Sequence, residues 1–157
     1  MLAQQKLPEA DFAEMMTAKH PFWKLMRITA YILRFKDNVG GGPKTRGPLV
    51  TEELNRAEQQ WIKLIQRISP ERPKDVETSE EEGTIMVHTR VPGYKPILLP
   101  QRGEFTRRII EHFHLATLHG GVQSTMAKLR ERFWIPKLRQ LTKTLVHNCN
   151  TCKRNRV

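Results

Sequence analysis

The chain has 157 residues, 38% of them apolar, and a formal net charge of +11. That length holds one ordinary domain or two small ones, and the apolar share is enough to bury a core, which excludes a wholly disordered chain. The most apolar stretch, Leu25 to Phe35, is interrupted by Arg27 and Arg34. It falls well short of the roughly 20 residues that a bilayer crossing needs, so no membrane-spanning helix and no membrane partner is expected.

The first residues, "MLAQQKLPEADFAEMM", lack the basic start, apolar middle and small-residue cleavage site of a secretory signal. An intracellular location, cytoplasmic or nuclear, is the expectation. Residues 1–19 show no clean apolar period and read as a loosely held lead-in. In "HPFWKLMRITAYILRFKDN" Pro21 suits a first helical turn, and Phe22, Leu25, Met26, Thr29 and Leu33 recur at three- and four-residue steps. This predicts an amphipathic helix over 21–37, stopped by the glycines and prolines of residues 38–48, which read as a mobile link. A second helix over 52–68 is predicted after Thr51, whose hydroxyl is suited to capping, with Glu52 and Glu53 complementing the first turn. Its apolar set, Leu54, Ala57, Trp61, Leu64, Ile65 and Ile68, lies on one face, as expected of helices that pack on each other or on a neighbour.

Residues 69–83 combine prolines with a run of acids that repel one another, and read as an acidic linker separating a helical region, 1–68, from a second region, 84–157. Magnesium ligation by Asp75, Glu77 and Glu80 to Glu82 is a weaker reading than a solvated spacer. Residues 84–100 are β-branched, contain the turn "PGY" and end in the apolar run Ile97 to Leu99, which predicts a β-hairpin. From Glu104 three helical patterns follow: "EFTRRIIEHF", "VQSTMAKLRERF" and "PKLRQLTKTLVHN". Val122, Met126, Leu129 and Phe133 share a face in the second, and Leu138, Leu141 and Leu145 in the third. The predicted fold is therefore mainly α with a small β element.

Charge is unevenly distributed. Residues 101–157 carry twelve Lys and Arg against three acids, while the first hundred residues are nearly balanced. Such an excess on one module is the footprint of a polyanion partner, although a solvated helix face produces it too. The candidate phosphate contacts are Lys128, Arg130, Arg132, Lys137, Arg139, Lys143, Lys153 and Arg154.

Two cysteines in a chain without an export signal suggest metal binding more than a disulfide. They occur as Cys149-x2-Cys152, preceded by His114-x4-His119 and a spacer of 29 residues. Two imidazoles and two thiols are the donors that satisfy tetrahedral zinc, and the spacer is long enough for two helices that leave and return. A segment of about 55 residues has little core of its own, and domains of this size commonly depend on a metal. A thioredoxin-type reading of Cys-x-x-Cys requires a preceding strand, whereas here a helix precedes it. His112 and His147 are alternative ligands. Four protein donors leave no open position, so one structural Zn2+ is expected and no activated water. "GGGPK" lacks the ending and following helix of a phosphate-binding loop, and no nucleophile or acid/base constellation is found.

The stretch from His114 to Arg156, with its short His114–His119 spacing, "HGG", "LRERFWI" and "CNTCKR", resembles the His-His-Cys-Cys (H2C2) zinc-binding N-terminal domain of retroelement integrases, in the variant found in BEL/Pao retrotransposon Pol polyproteins. Upstream, "FWKLMRITAYILRF", "LVTEELNRAEQQWIKLIQ" and "KPILLP" resemble the stretch of those polyproteins between the ribonuclease H region and the integrase. "GTIMVHTRVPGY" matches that pattern only loosely. The resemblance implies a zinc-stapled three-helix bundle over 101–157, helix-turn-helix-like, that takes part in DNA integration through multimerisation and binding of element DNA ends. In that family the catalytic core follows this domain, and the present sequence stops at Val157, so no catalytic residues and no enzymatic activity are expected. The function expected from sequence is thus a zinc-binding module for nucleic acid, of low sequence specificity, or for self-association with integrase or Pol partners. A protein-interaction remnant without nucleic-acid binding is the rival.

Overall fold

The computed structural model describes residues 8–41, 44–70 and 72–155. Three helices come first: α1 (Pro8–Lys19), α2 (Phe22–Val39) and α3 (Thr51–Ile68). A four-stranded sheet follows, made of β1 (Thr78–Glu81), β2 (Thr84–Val87), β3 (Ile97–Leu98) and β4 (Phe133–Trp134) in that spatial order. Between and after β3 and β4 lie α4 (Glu104–Ala116), α5 (Gly121–Arg130), α6 (Leu138–Asn148) and α7 (Asn150–Arg154). The mainly helical class with a small sheet is as expected. No helix among the described residues is long and apolar enough to cross a membrane.

α1 corrects the reading of residues 8–19 as a lead-in. It escaped the apolar pattern because its two deeply buried positions, Ala13 and Thr17, include a polar residue, while Phe12 and Met15 stay half exposed. Thr17 is made tolerable in the interior by donating its hydroxyl to the Ala13 carbonyl at 2.7 Å. Arg108 then closes the helix C-terminus from α4, its Nε and Nη2 donating to the carbonyls of Thr17 at 3.0 Å and Ala18 at 2.9 Å.

Of the two expected packings, α2 and α3 take the first and pack on each other, with Leu25 and Met26 in one buried cluster with Trp61 and Ile62. Trp61 Nε1 donates to Thr29 Oγ1 at 2.7 Å, which satisfies the one polar atom of the indole. The capping of α3 differs from the sequence reading. Thr51 is already helical, Val50 occupies the cap position without a side-chain acceptor, and Glu53 reaches back to accept the Val50 N–H at 2.9 Å. The same carboxylate receives Arg34 Nε at 2.6 Å, and this pairing holds its pKa down to about 2. Arg34 also donates to the carbonyls of Gly47 and Pro48 at 2.6 and 2.9 Å, so the described part of the glycine-rich link is tied to α2. Gly42 and Pro43 of that link lie outside the described residues.

The sheet also departs from expectation. The acidic segment is not a spacer throughout: β1 lies in it, and the tight turn to β2 is Glu82-Gly83, both with positive φ (51° and 75°), the geometry of a primed hairpin turn. The expected pairing within 84–100 is present as β2 antiparallel to β3, Met86 opposite Ile97, with "PGY" in the intervening loop. Phe133 belongs to β4, parallel to β3, and not to the face of α5.

One apolar cluster joins α2 and α3 to α4, α5 and β4. Phe105 of α4 lies at its middle, with ring centroids 5.8 Å from Trp61 and 6.1 Å from Phe22, and Phe113 meets Phe133 edge-on at 6.0 Å. Gln66 of α3 pins the sheet to the helices. Its amide accepts the Ile85 N–H at 2.8 Å and donates to the carbonyls of Leu98 at 2.7 Å and Ile85 at 3.0 Å. Replacing it by Leu keeps volume but orphans a buried donor and two acceptors, so Gln66→Leu should lower unfolding free energy by about 2–3 kcal/mol in denaturant titration.

Candidate metal centre

The two histidines are placed by the end of α4. His114 is in its last turn, 1% exposed, and the chain then reverses through Leu118 and His119, both left-handed with φ of 51° and 61°. The backbone N–H of His119 donates to the His114 carbonyl at 3.1 Å, which brings the second ring back over the first. The two glycines after His119 have different jobs. A Cβ on Gly120 would come within 3.0 Å of the Thr117 carbonyl oxygen and the Ser124 Cβ, whereas Gly121 has φ +84°, a conformation that side chains disfavour.

The thiols are placed by the junction of α6 and α7. Cys149 ends α6 and caps α7, the Lys153 N–H donating to its carbonyl at 2.9 Å, and Cys152 sits in the turn that follows. The backbone N–H of Cys152 holds the Cys149 thiol below its ordinary pKa, favouring thiolate. Burial pushes the His114 imidazole down, with His119 adding in the same direction, which favours the neutral ring. Neutral imidazole and thiolate are the protonation states that a metal requires.

One donor atom from each of His114, His119, Cys149 and Cys152 lies within 4.8 Å of all the others. His114 Nε2 and His119 Nδ1 are 3.0 Å apart, Cys149 Sγ is 3.3 Å from His119 Nδ1, and Cys152 Sγ is 3.3 Å from His114 Nε2 and 3.7 Å from His119 Nδ1. A zinc tetrahedron with ordinary bond lengths has edges of about 3.3 Å between nitrogens and about 3.6 Å between nitrogen and sulfur. The four distances are close to those edges. These four residues are positioned to hold one metal ion, and the N2S2 donor set suits zinc. The alternative ligands fall elsewhere: the His112 ring packs on Phe22 with centroids 4.9 Å apart, and His147 is exposed in the last turn of α6.

Residues 102–157 match the family of the integrase zinc binding domain. No curated protein and no solved structure matches the chain. The matched segment begins two residues before α4 and contains all four donors. A zinc ion held by these four residues would tie the turn after α4 to the start of α7, a structural part.

Sequence reasoning missed the group that orients His114. Thr125 of α5, fully buried, donates its hydroxyl to the Gly121 carbonyl at 2.8 Å, which leaves its oxygen to accept from His114 Nδ1 at 3.3 Å. That bond keeps the proton on Nδ1 and the lone pair of Nε2 towards the metal. A threonine at helical spacing after "HGG" carries no mark of this in the sequence, because the contact forms only once α4 and α5 pack.

The eight basic candidates are all exposed, but not equally available. Lys128 pairs with Glu131 at 2.7 Å, and Arg132 pairs with the buried Glu58 of α3 at 2.9 Å while lying over the Phe133 ring. Among the described residues no ion pair engages Arg130, Lys137, Arg139, Lys143, Lys153 or Arg154. Thr125→Val should leave the chain folded at neutral pH with zinc affinity reduced about tenfold or more, measured by chelator competition. Acidification should release zinc, since each donor proton competes with the metal, and the lowered pKa of His114 keeps that imidazole neutral further into acid than its ordinary value would; metal content measured against pH checks this.

Proposed function

We propose that this chain works as a zinc-stapled module of a retroelement integrase region that binds nucleic acid through the outer faces of α5, α6 and α7, and that it derives from a BEL/Pao-type Pol polyprotein. The observation that carries the nucleic-acid reading is the excess of nine positive charges on residues 101–157, with six of the eight candidate cations exposed and without an ion-pair partner among the described residues. The family match to the integrase zinc binding domain supports the assignment to an integrase region, and the resemblance of α2, α3 and "KPILLP" to the upstream Pol segment supports the BEL/Pao origin. Phosphates attract such a surface without regard to sequence, so low sequence preference goes with this reading.

A second reading has its own observation. On α2 the side chains of Tyr31, Ile32, Phe35 and Val39 are exposed, the last two to 70%, which suits a protein-interaction or self-association surface more than a solvated helix.

Titration of duplex DNA against salt separates them. Each phosphate neutralised should contribute about −0.9 to the slope of log K against log salt, so three to five contacts predict a slope of roughly −3 to −4.5. Arg130→Ala, Arg139→Ala and Lys143→Ala together should flatten that slope with zinc content unchanged. A zinc-loaded chain that binds no duplex at low salt would leave the interaction reading standing.

A further inference from the structure

The side of α2 turned away from α3 carries a regular apolar seam. Ile28, Ile32, Phe35 and Val39 follow one another at steps of four, three and four, the spacing by which one helix meets another in a coiled coil. Ile28 is half-buried, Ile32 is 57% exposed, and Phe35 and Val39 are each 70% exposed. Tyr31 borders the seam, 46% exposed, with the Arg34 guanidinium 5.7 Å from its ring centre. The other flanking positions are Thr29, Lys36 and Asn38, so Lys36 is the one charge among them.

The order of the seam says what fits it. Read backwards, the steps are again four, three and four, so the seam matches itself when two copies of α2 run antiparallel about a twofold axis. Ile32 then lies on Phe35 of the second copy and Ile28 on its Val39, and every layer pairs a larger side chain with a smaller one. A parallel pair would stack Phe35 on Phe35 and Val39 on Val39. It would also bring two basic modules together, because the N-terminal end of α2 is the end that packs on α4, the Phe22 ring lying 6.1 Å from Phe105 and 4.9 Å from His112. With nine excess positive charges on residues 101–157, the antiparallel arrangement is favoured: it sets these modules at opposite ends and aligns the two helix dipoles head to tail.

The exposed parts of Tyr31, Ile32, Phe35 and Val39 present on the order of 500 Å² on each copy, about 1,000 Å² for a pair, which is the lower limit for a specific interface. Such an area fits a weak dimer with a dissociation constant of about 10–100 μM. We propose that α2 is a self-association surface on which two copies of this chain pair antiparallel through Ile28, Ile32, Phe35 and Val39. The inference rests on the second reading above, to which it gives one partner and one register, and it uses no residue of the basic helices.

Sedimentation equilibrium of the zinc-loaded full chain should show a dimer that grows with concentration between about 1 and 300 μM. Phe35→Glu, a change at an exposed position, should keep the circular dichroism and zinc stoichiometry of the unmodified chain and weaken the dimer about tenfold or more. Ile32→Lys should do the same. The triple variant at Arg130, Arg139 and Lys143 should dimerise as the unmodified chain does. For the register, Ile28→Cys and Val39→Cys chains are treated with a short bis-maleimide, mixed and separately. The mixture should give more covalent dimer than either variant alone, whereas a parallel pair would cross-link within each variant. A chain that stays monomeric at the highest concentration, or cross-linking confined to the unmixed variants, would overturn the proposal. A dimer that survives both Phe35→Glu and Ile32→Lys would overturn this seam and leave self-association through another surface standing. The salt titration of duplex DNA tests the nucleic-acid reading separately from all of these.

Discussion

Everything in the C-terminal part of the molecule depends on four donor atoms from two distant chain segments meeting at one centre. His114 and His119 lie at the end of α4, Cys149 and Cys152 at the start of α7, and the 29 residues between the pairs must leave and return. Closing that loop costs chain entropy, which bonds to a metal at the four donors would help to offset. The return path then decides the architecture: α5 and α6 become packed neighbours, and the short connection between them contains β4, added alongside β3. Two left-handed residues, a crowded glycine and a positive-φ glycine in succession store backbone strain at the histidine turn, as is usual where a backbone must aim side chains.

The metal centre is supported from outside as well as stapled from within. α4 has two buried faces, one carrying Thr106 and His114 and the other Phe105 and Ile109 towards α2 and α3. Through Phe105, Trp61 and Phe22 the N-terminal helices share one core with the matched segment, and Arg108 in turn closes α1. α1, α2 and α3 are thus more than an appendage in this structure: they share the burial of α4 with α5, α6 and β4. This connection also explains why Arg132, one of the candidate phosphate contacts, is partly spoken for, because the electrostatic partner of Glu58 has to come from the far side of the interface.

The basic residues and the exposed apolar side chains are surfaces of different chemistry and lie on different elements, the first on α5, α6 and α7 and the second on α2. Charges on α5 and α6 are held outward by apolar faces that pack inward through Met126, Leu129, Leu138 and Val146. The exposed aromatic and aliphatic residues of α2 lie opposite the face that meets α3.

What was legible in the sequence was what depends on neighbours a few residues away. The periods of α2, α3, α4, α5 and α6, the turn residues of "HGG" and the zinc donor set are each written in local spacing and residue type, and the structure places them accordingly. What only the tertiary structure decided depends on partners far along the chain. α1 is a helix with no readable stripe because its burial is provided by Trp61 and Arg108. β1 forms in an acidic run because β2 turns back onto it at Glu82-Gly83. Phe133 becomes strand because β3, thirty-odd residues upstream, offers it an edge. Thr125 becomes the orienting group of His114, Gln66 the pin of the sheet, and Glu58 a buried carboxylate, each through a contact whose other half no local pattern contains. Hydrogen bonds and apolar contacts between remote segments act only after the chain has folded, and that is the physical reason these residues carried no signal beforehand.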